Sequence, residues 1–468
     1  MTEPDWKLFE DDTNVLMEKY RIPGIAVAVA RHGQIEFERG FGVRDEAGSA
    51  VTPDTVFGIA SITKSFTCMA ILQLQEAGKL KVTDPVVKYL PEFRTPNPQH
   101  TEQVAIHHLM THTAGLPPLP TVAKGMVSFM NKGLPDSGGE HAPGFIHSLE
   151  HLLERIGQLD YELLGPPGTE FSYSNDGFAL LGGIAGRVSA KPFADLIEET
   201  IAKPAGMMRT VFDRIRLPEG THTTDLFIRN GQGGIQASPH WEGAPAVLGS
   251  GFLWSTLSDL MRYMELFRTG GTVGGERILS EQSVREMLHP HAALGIGNGY
   301  GYGMMVLPNA GGIGVTLIGH NGGQRGISSR MSLIPEKGLT GVVLTNLADV
   351  PASRILRGAM NAAQGLAPSA PLRTFPDFTP DPGELDRYAG TYQSMEGGTD
   401  VVTFHEGVLR ISPSAQAEGE PLRPFAPDLF TVSAGEEQLP VRFIRNRQGN
   451  VVRVLLRSRQ LTKINDIS

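Results

Sequence analysis

A chain of 468 residues, 40% hydrophobic and 19% charged, exceeds what one hydrophobic core supports, and two or three domains are expected. Its formal net charge of −9 and pI near 5.9 give no electrostatic footing for nucleic acid or an anionic membrane. No stretch approaches the ~20 apolar residues of a spanning helix, and the single cysteine, Cys68, excludes an internal disulfide framework.

The first 21 residues are charged throughout (Glu3, Asp5, Lys7, Glu10, Asp11, Asp12, Glu18, Lys19) and lack the apolar core of a signal peptide, so a cytoplasmic protein is expected. A first helix is predicted over 11–20. Pro23-Gly24 then turns the chain into the apolar run 25–30, and the polar turn 31–34 leads into 35–39, which together read as a hairpin. From 62 to 74 the chain is apolar on nearly every face, as a buried helix is, with Gly78 and Lys79 as its stop. Residues 84–188 are rich in loops and helices, and 116–145 are dense in Gly and Pro, a texture that often serves function. Strand-like runs return at 315–318, 331–334 and 341–346. Strands at both ends with helices between predict a mixed α/β domain, its sheet assembled from distant segments.

Residues 365–383 are Pro-rich and aperiodic, a linker between a domain over 1–364 and a second over 384–468. Beyond it, short alternating segments at 401–404, 408–411, 429–432, 441–444 and 451–456 predict a small all-β barrel or sandwich.

Three segments carry chemistry. Ser61 and Lys64 form the pattern S-x-x-K at the start of the buried helix. Residues three apart share a helix face, so the lysine amine reaches the serine hydroxyl. Burial lowers a lysine's pKa and lets it act as a base, and a helix start favours an oxyanion beside the serine. Alone the pattern is weak, since it arises by chance about once in a chain this long. Tyr173 and Asn175 form Y-x-N before an apolar helix at 178–184. A phenol near an ammonium ionises more easily and could relay a proton, and Asn175 could contact both Lys64 and a substrate carbonyl. An N-cap and turn with a packed tyrosine explains the segment equally well. Finally, His320, Gly322 and Gly323 follow the strand at 315–318. There Gly322 and Gly323 would let a substrate lie against the backbone, or would simply turn the chain between strands. A second H-x-G, His405 to Gly407, falls in a hairpin turn of the C-terminal part and reads as structural.

In this order, S-x-x-K, Y-x-N and H-x-G resemble the serine β-lactamase and penicillin-binding-protein-like hydrolases, in particular the class C-like esterases and D-amino-acid peptidases. The phrases at 109–116 and 251–256 and the opening hairpin match as well, and the likeness spans about residues 10–360. It implies an antiparallel sheet flanked by helices with a helical subdomain, no cofactor, and an acyl-enzyme on Ser61. Lys64 and Tyr173 would move protons jointly. Asn175, His320 and Gly322 would bind substrate, and the backbone N–H groups of Ser61 and Gly323 would form the oxyanion hole. The substrate implied is a small molecule or short peptide, first a D-residue amide, then an ester, then a β-lactam. The family's lysine at position 320 is here a histidine, near-neutral at pH 7, which turns the expectation away from penicillins. The segment opening at Tyr388 resembles the lipocalin-like barrel appended to some such peptidases; homo-oligomer formation stays open.

Other clusters point elsewhere only superficially. His107, His108 and His112 lack the zinc-protease glutamate, so no metal site is expected. The Gly-rich runs at 295–299 and 311–314 lack a nucleotide-loop context. Cys68 reads as a small core residue, and Trp241 or Trp254 is a candidate to line a pocket.

Overall fold

The computed structural model describes residues 3–123, 146–230, 233–238, 244–414 and 416–465. Trp241 and most of the Gly/Pro-rich stretch at 116–145 lie outside the described residues. Helix α1 (Trp6–Tyr20) begins five residues earlier than the sequence predicts, because the Asp5 side chain accepts from the Leu8 N–H at 2.9 Å and caps it.

The expected hairpin is β1 (Gly24–Arg31) and β2 (Gln34–Gly42). They belong to an eight-stranded antiparallel sheet completed by β3 (Ala292–Ala293), β4 (Gly299–Tyr300), β5 (Met305–Ala310), β6 (Val315–Gln324), β7 (Ile327–Ile334) and β8 (Leu339–Thr345), in the order β2-β1-β8-β7-β6-β5-β4-β3. Strand β1 is buried along almost its whole length because the sheet is covered on both faces. Its Ala26, Ala28 and Ala30 face one core, and Ile25, Val27 and Val29 face the other, under Phe9 and Leu16 of α1 and Ile355 of a helix at Ala352–Ala362. At the sheet's edge β2 buries Phe37 and Phe41 and exposes much of its other face.

The larger core holds α2 (Thr63–Glu76), whose residues are nearly all buried, as its all-round apolar sequence requires. Phe66 stacks on Tyr263 at 3.8 Å, and Gly78 ends the helical segment at φ 69°.

Nine further strands form a second antiparallel sheet, from β9 (Gly390–Gln393) through β10 (Thr399–His405) and β11 (Val408–Ser412) to β16 (Val451–Leu456) and β17 (Arg459–Asn465). Its two edge strands, Glu420–Pro421 and Arg423–Ala426, are separated in sequence by Leu422 alone, so the sheet curls into a nearly closed barrel. Tyr388, Tyr392, Phe430 and Phe443 fill it. The second H-x-G lies in the β10–β11 hairpin, where Glu406 (φ 49°) and Gly407 (φ 79°) make the turn. The barrel docks on the β3–β4 edge of the first sheet, where Ile444 and Leu455 pack with Phe171, Leu294 and Tyr300. No helix among the described residues is long and apolar enough to cross a membrane.

Candidate active site

Ala60 adopts φ 48°, a conformation costly for a residue with a Cβ. This kink leads a single 3-10 turn, Ala60–Ile62, into α2, placing a half-buried Ser61 just ahead of the helix and Lys64 in its first turn. Lys64 is 0% exposed, and its Nζ lies 3.1 Å from Ser61 Oγ, 2.9 Å from Asn175 Oδ1 and 2.5 Å from the Ser250 carbonyl. Burial pushes the amine well below its ordinary pKa; the Arg459 charge adds to this and Glu396 opposes it. A neutral amine has two N–H donors and one lone pair. The two amide oxygens accept the hydrogens, which leaves the lone pair for the Ser61 hydroxyl. That is the protonation state able to take the serine proton.

Asn175 is the first residue of a helix, Asn175–Ser189, not part of the preceding loop, because the Ser174 hydroxyl caps it by accepting from the Gly177 N–H at 3.0 Å. The cap is therefore real, and it works for the site by aiming Asn175 at Lys64. Tyr173 is buried just before it, with Lys64 Nζ 4.8 Å from its ring centre. Burial raises the phenol's pKa, and the neighbouring Ser61 hydroxyl and Arg459 only partly offset that. An ammonium beside the phenol would ease its ionisation, but in the folded site Lys64 is neutral and desolvation outweighs the Arg459 charge, so Tyr173 stays protonated.

The H-x-G segment lies inside β6, not in a turn. Gly322 pairs with Ser329, and Gly323 with Ser328, on β7. A Cβ at Gly322 would sit 2.1 Å from the Ile59 carbonyl and 2.3 Å from Ser329 Oγ, whereas one at Gly323 would meet nothing within 4 Å. The glycine at 322 thus lets the strand press on the residue two before Ser61, while Gly323 faces open space. Ser329 reinforces that contact, its hydroxyl donating to the Ile59 carbonyl at 2.9 Å.

His320 is 4% exposed and both its ring nitrogens are engaged: Nδ1 lies 2.6 Å from the Asn321 carbonyl and Nε2 3.0 Å from Tyr300 Oη. Burial takes its pKa down to about 3, so it is neutral at pH 7. Tyr300 Oη is also 3.2 Å from His112 Nε2, and His112 Nδ1 accepts from the Ser174 N–H at 3.0 Å. One tautomer set satisfies the chain: His112 donates from Nε2 to Tyr300, Tyr300 donates to His320 Nε2, and His320 donates from Nδ1 to Asn321. Burial likewise holds His112 well below its ordinary pKa. The His112 carbonyl also accepts from the Ser172 N–H at 2.9 Å, so one residue brackets Tyr173 from both sides. His112 stood in the histidine trio set aside as a metal candidate; among the described residues no three His, Cys, Asp or Glu side chains are grouped to hold an ion.

Sequence reasoning did not find the barrel's share. The Tyr173 N–H donates to the Ser458 carbonyl at 2.8 Å, and the Gln460 N–H to Ser172 Oγ at 3.2 Å. The Arg459 guanidinium lies 5.0 Å from the Tyr173 ring centre and its Nε pairs with Glu396, which also accepts from Asn175 Nδ2 at 3.4 Å. Ser250, whose carbonyl holds Lys64, precedes by one residue the phrase at 251–256 that carried part of the resemblance. Trp254 is buried, its indole facing the Arg214 guanidinium.

Residues 9–365 match the family model described as Beta-lactamase, and 376–466 a domain of unknown function, DUF3471. Over 193 residues the chain is 34% identical to the esterase EstB of Burkholderia gladioli, an alignment covering 41% of this chain and 47% of that one, about half its length. Penicillin-binding protein 4 of Amycolatopsis lactamdurans is 26% identical over 405 residues, 83% of this chain and 98% of that one. The octameric penicillin-binding protein homologue from Pyrococcus abyssi superposes with a TM-score of 0.69 at 27% identity, covering 98% of this chain and 100% of that one.

Proposed function

The chain belongs to the beta-lactamase family of serine hydrolases, and we propose that Ser61 is its acylated nucleophile, with substrates among small peptides carrying D-residues. The observation that carries the assignment of Ser61 is Lys64: a fully buried amine, lowered in pKa, with its two hydrogens matched to carbonyl oxygens and Ser61 Oγ 3.1 Å away. Lys64 takes the Ser61 proton as Oγ attacks the acyl carbon, and the backbone N–H groups of Ser61 and Gly323 receive the developing oxyanion. Tyr173, protonated at rest, gives its proton to the leaving group and regains one from Lys64. Water then releases the acid by the reverse relay. Asn175 orients both Lys64 and the substrate. His320 and Gly322 shape the wall beside Ser61, the first as a neutral hydrogen-bonded ring, the second as a close backbone contact.

An ester is the second reading, favoured by the 34% identity to EstB over 193 residues. A β-lactam ranks third, because His320 places no cation where the family's lysine would stand. We assign residues 1–364 to the catalytic domain, 365–383 to a linker and 384–468 to a lipocalin-like barrel; the octameric homologue from Pyrococcus abyssi supports a homo-oligomer. Side-by-side rates on D-alanyl anilide, a short-chain nitrophenyl ester and a chromogenic cephalosporin test the ranking. The anilide should turn over fastest, and a faster cephalosporin would reverse the order.

A further inference from the structure

Resting on Ser61 acylation with Tyr173 on the leaving-group side, we propose that Arg459 of the barrel anchors a carboxylate carried by the substrate's leaving group. Neither Lys64 nor His320 supplies a fixed cation beside Ser61. Lys64 is desolvated and used by Ser61, Asn175 and Ser250, and His320 is buried between Tyr300 and Asn321. Arg459 instead lies over the Tyr173 ring, 5.0 Å from its centre. It is held there on two sides. Its Nε pairs with Glu396, and the preceding residue, Ser458, accepts the Tyr173 N–H at 2.8 Å in a turn where Arg457 and Ser458 both have positive φ (49° and 67°).

Only Nε is engaged by a described residue; the two Nη groups have no acceptor among them, and the side chain is 30% exposed. A guanidinium tied down at Nε still presents its paired Nη edge, which matches the two oxygens of a carboxylate. Glu396 is already engaged and offers no free oxygen to an amine. One of its oxygens takes Arg459 and the other faces the Asn175 amide, so a substrate ammonium would have to displace the arginine. Because Tyr173 protonates the departing group, a carboxylate on Arg459 belongs to that group and not to the acyl half. The charge that the family's position 320 lacks here is thus supplied by a different domain.

The test uses the full chain and two acetyl esters that differ only in the leaving group, 3-acetoxybenzoate and 3-acetoxybenzamide, together with binding titrations of the two free phenols. The benzoate should be preferred in kcat/KM by at least about tenfold, chiefly through KM, the size expected of one charge-assisted contact. Arg459→Gln should bring that ratio close to one, and Arg459→Lys should leave an intermediate ratio while keeping the pairing with Glu396. 3-Hydroxybenzoate should bind wild type at least about tenfold more tightly than Arg459→Gln. A wild-type ratio near one, or a preference that survives Arg459→Gln, overturns the proposal, as does tighter binding of 3-aminomethylphenol than of 3-hydroxybenzoate. Failure of Ser61 chemistry would show separately, as loss of turnover on both esters with the binding difference intact.

Discussion

The two walls of the site differ in kind. On the catalytic side the ionisable groups lining Ser61 and its hydrogen-bond chain are desolvated towards their neutral forms. Lys64 and His112 lie well below their ordinary pKa, His320 is near 3, and Tyr173 and Tyr300 are raised. On the barrel side stand Arg459 and Glu396, a charged pair at the solvent margin. The first wall is arranged to move a proton between neutral groups, and the second to present charge to what approaches. The same H-x-G pattern makes the point at smaller scale: at 320 it is buried and fully hydrogen-bonded, and at 405 it is a hairpin turn. Context decides what a motif does.

The largest effect should come from the neutral wall. Lys64→Ala should lower kcat/KM by about 10³-fold or more while leaving thermal unfolding cooperative, because the serine loses its proton acceptor. Near-normal turnover in that variant would show that the neutral wall does not move the proton. Next, Leu455→Ala should destabilise the protein by roughly 2–4 kcal/mol, since it empties the apolar contact that seats the barrel on Phe171 and Tyr300. Activity should fall faster than global stability in a denaturant titration if the seated barrel completes the site. Tyr173→Phe should cost about 10²-fold in kcat, with the larger loss on substrates whose leaving group is a poor one. Tyr300→Phe removes the donor to His320 Nε2 and should cost about 1–2 kcal/mol of stability.

The smallest effect is a displacement in pH. The neutral, reactive form of Lys64 predominates above its depressed pKa, so activity should be lost as pH falls through that value, well below a lysine's ordinary one. The Arg459 charge contributes to the depression, so Arg459→Gln should move the acid limb of kcat/KM to higher pH. An unmoved limb would separate the two walls electrostatically.

Much of the first wall was legible because its residues are local pairs. Ser61, in the 3-10 turn that leads into α2, meets Lys64 in the first turn of that helix, and Tyr173 and Asn175 bracket a helix cap, so close spacing implies geometry. Direction of ionisation was not legible for Tyr173, because it depends on how deeply the phenol is buried. The extent of β6 through Gly323 was not legible because glycines fit a turn as well as a substrate-facing strand, when one of them is needed for contact with Ile59. Glu396 and Arg459 carry no motif or periodicity; only the docking of a second sheet brings a β9–β10 loop and the start of β17 to the site. His112 could have been found, since the phrase around it at 109–116 was already part of the resemblance.

The central claim is best tested by locating the covalent adduct after treatment with a fluorophosphonate, by intact mass and peptide mapping. One adduct is expected on Ser61 in wild type, none in Ser61→Ala, and slow or absent labelling in Lys64→Ala. An adduct on another residue, or undiminished labelling of Ser61→Ala, would contradict it.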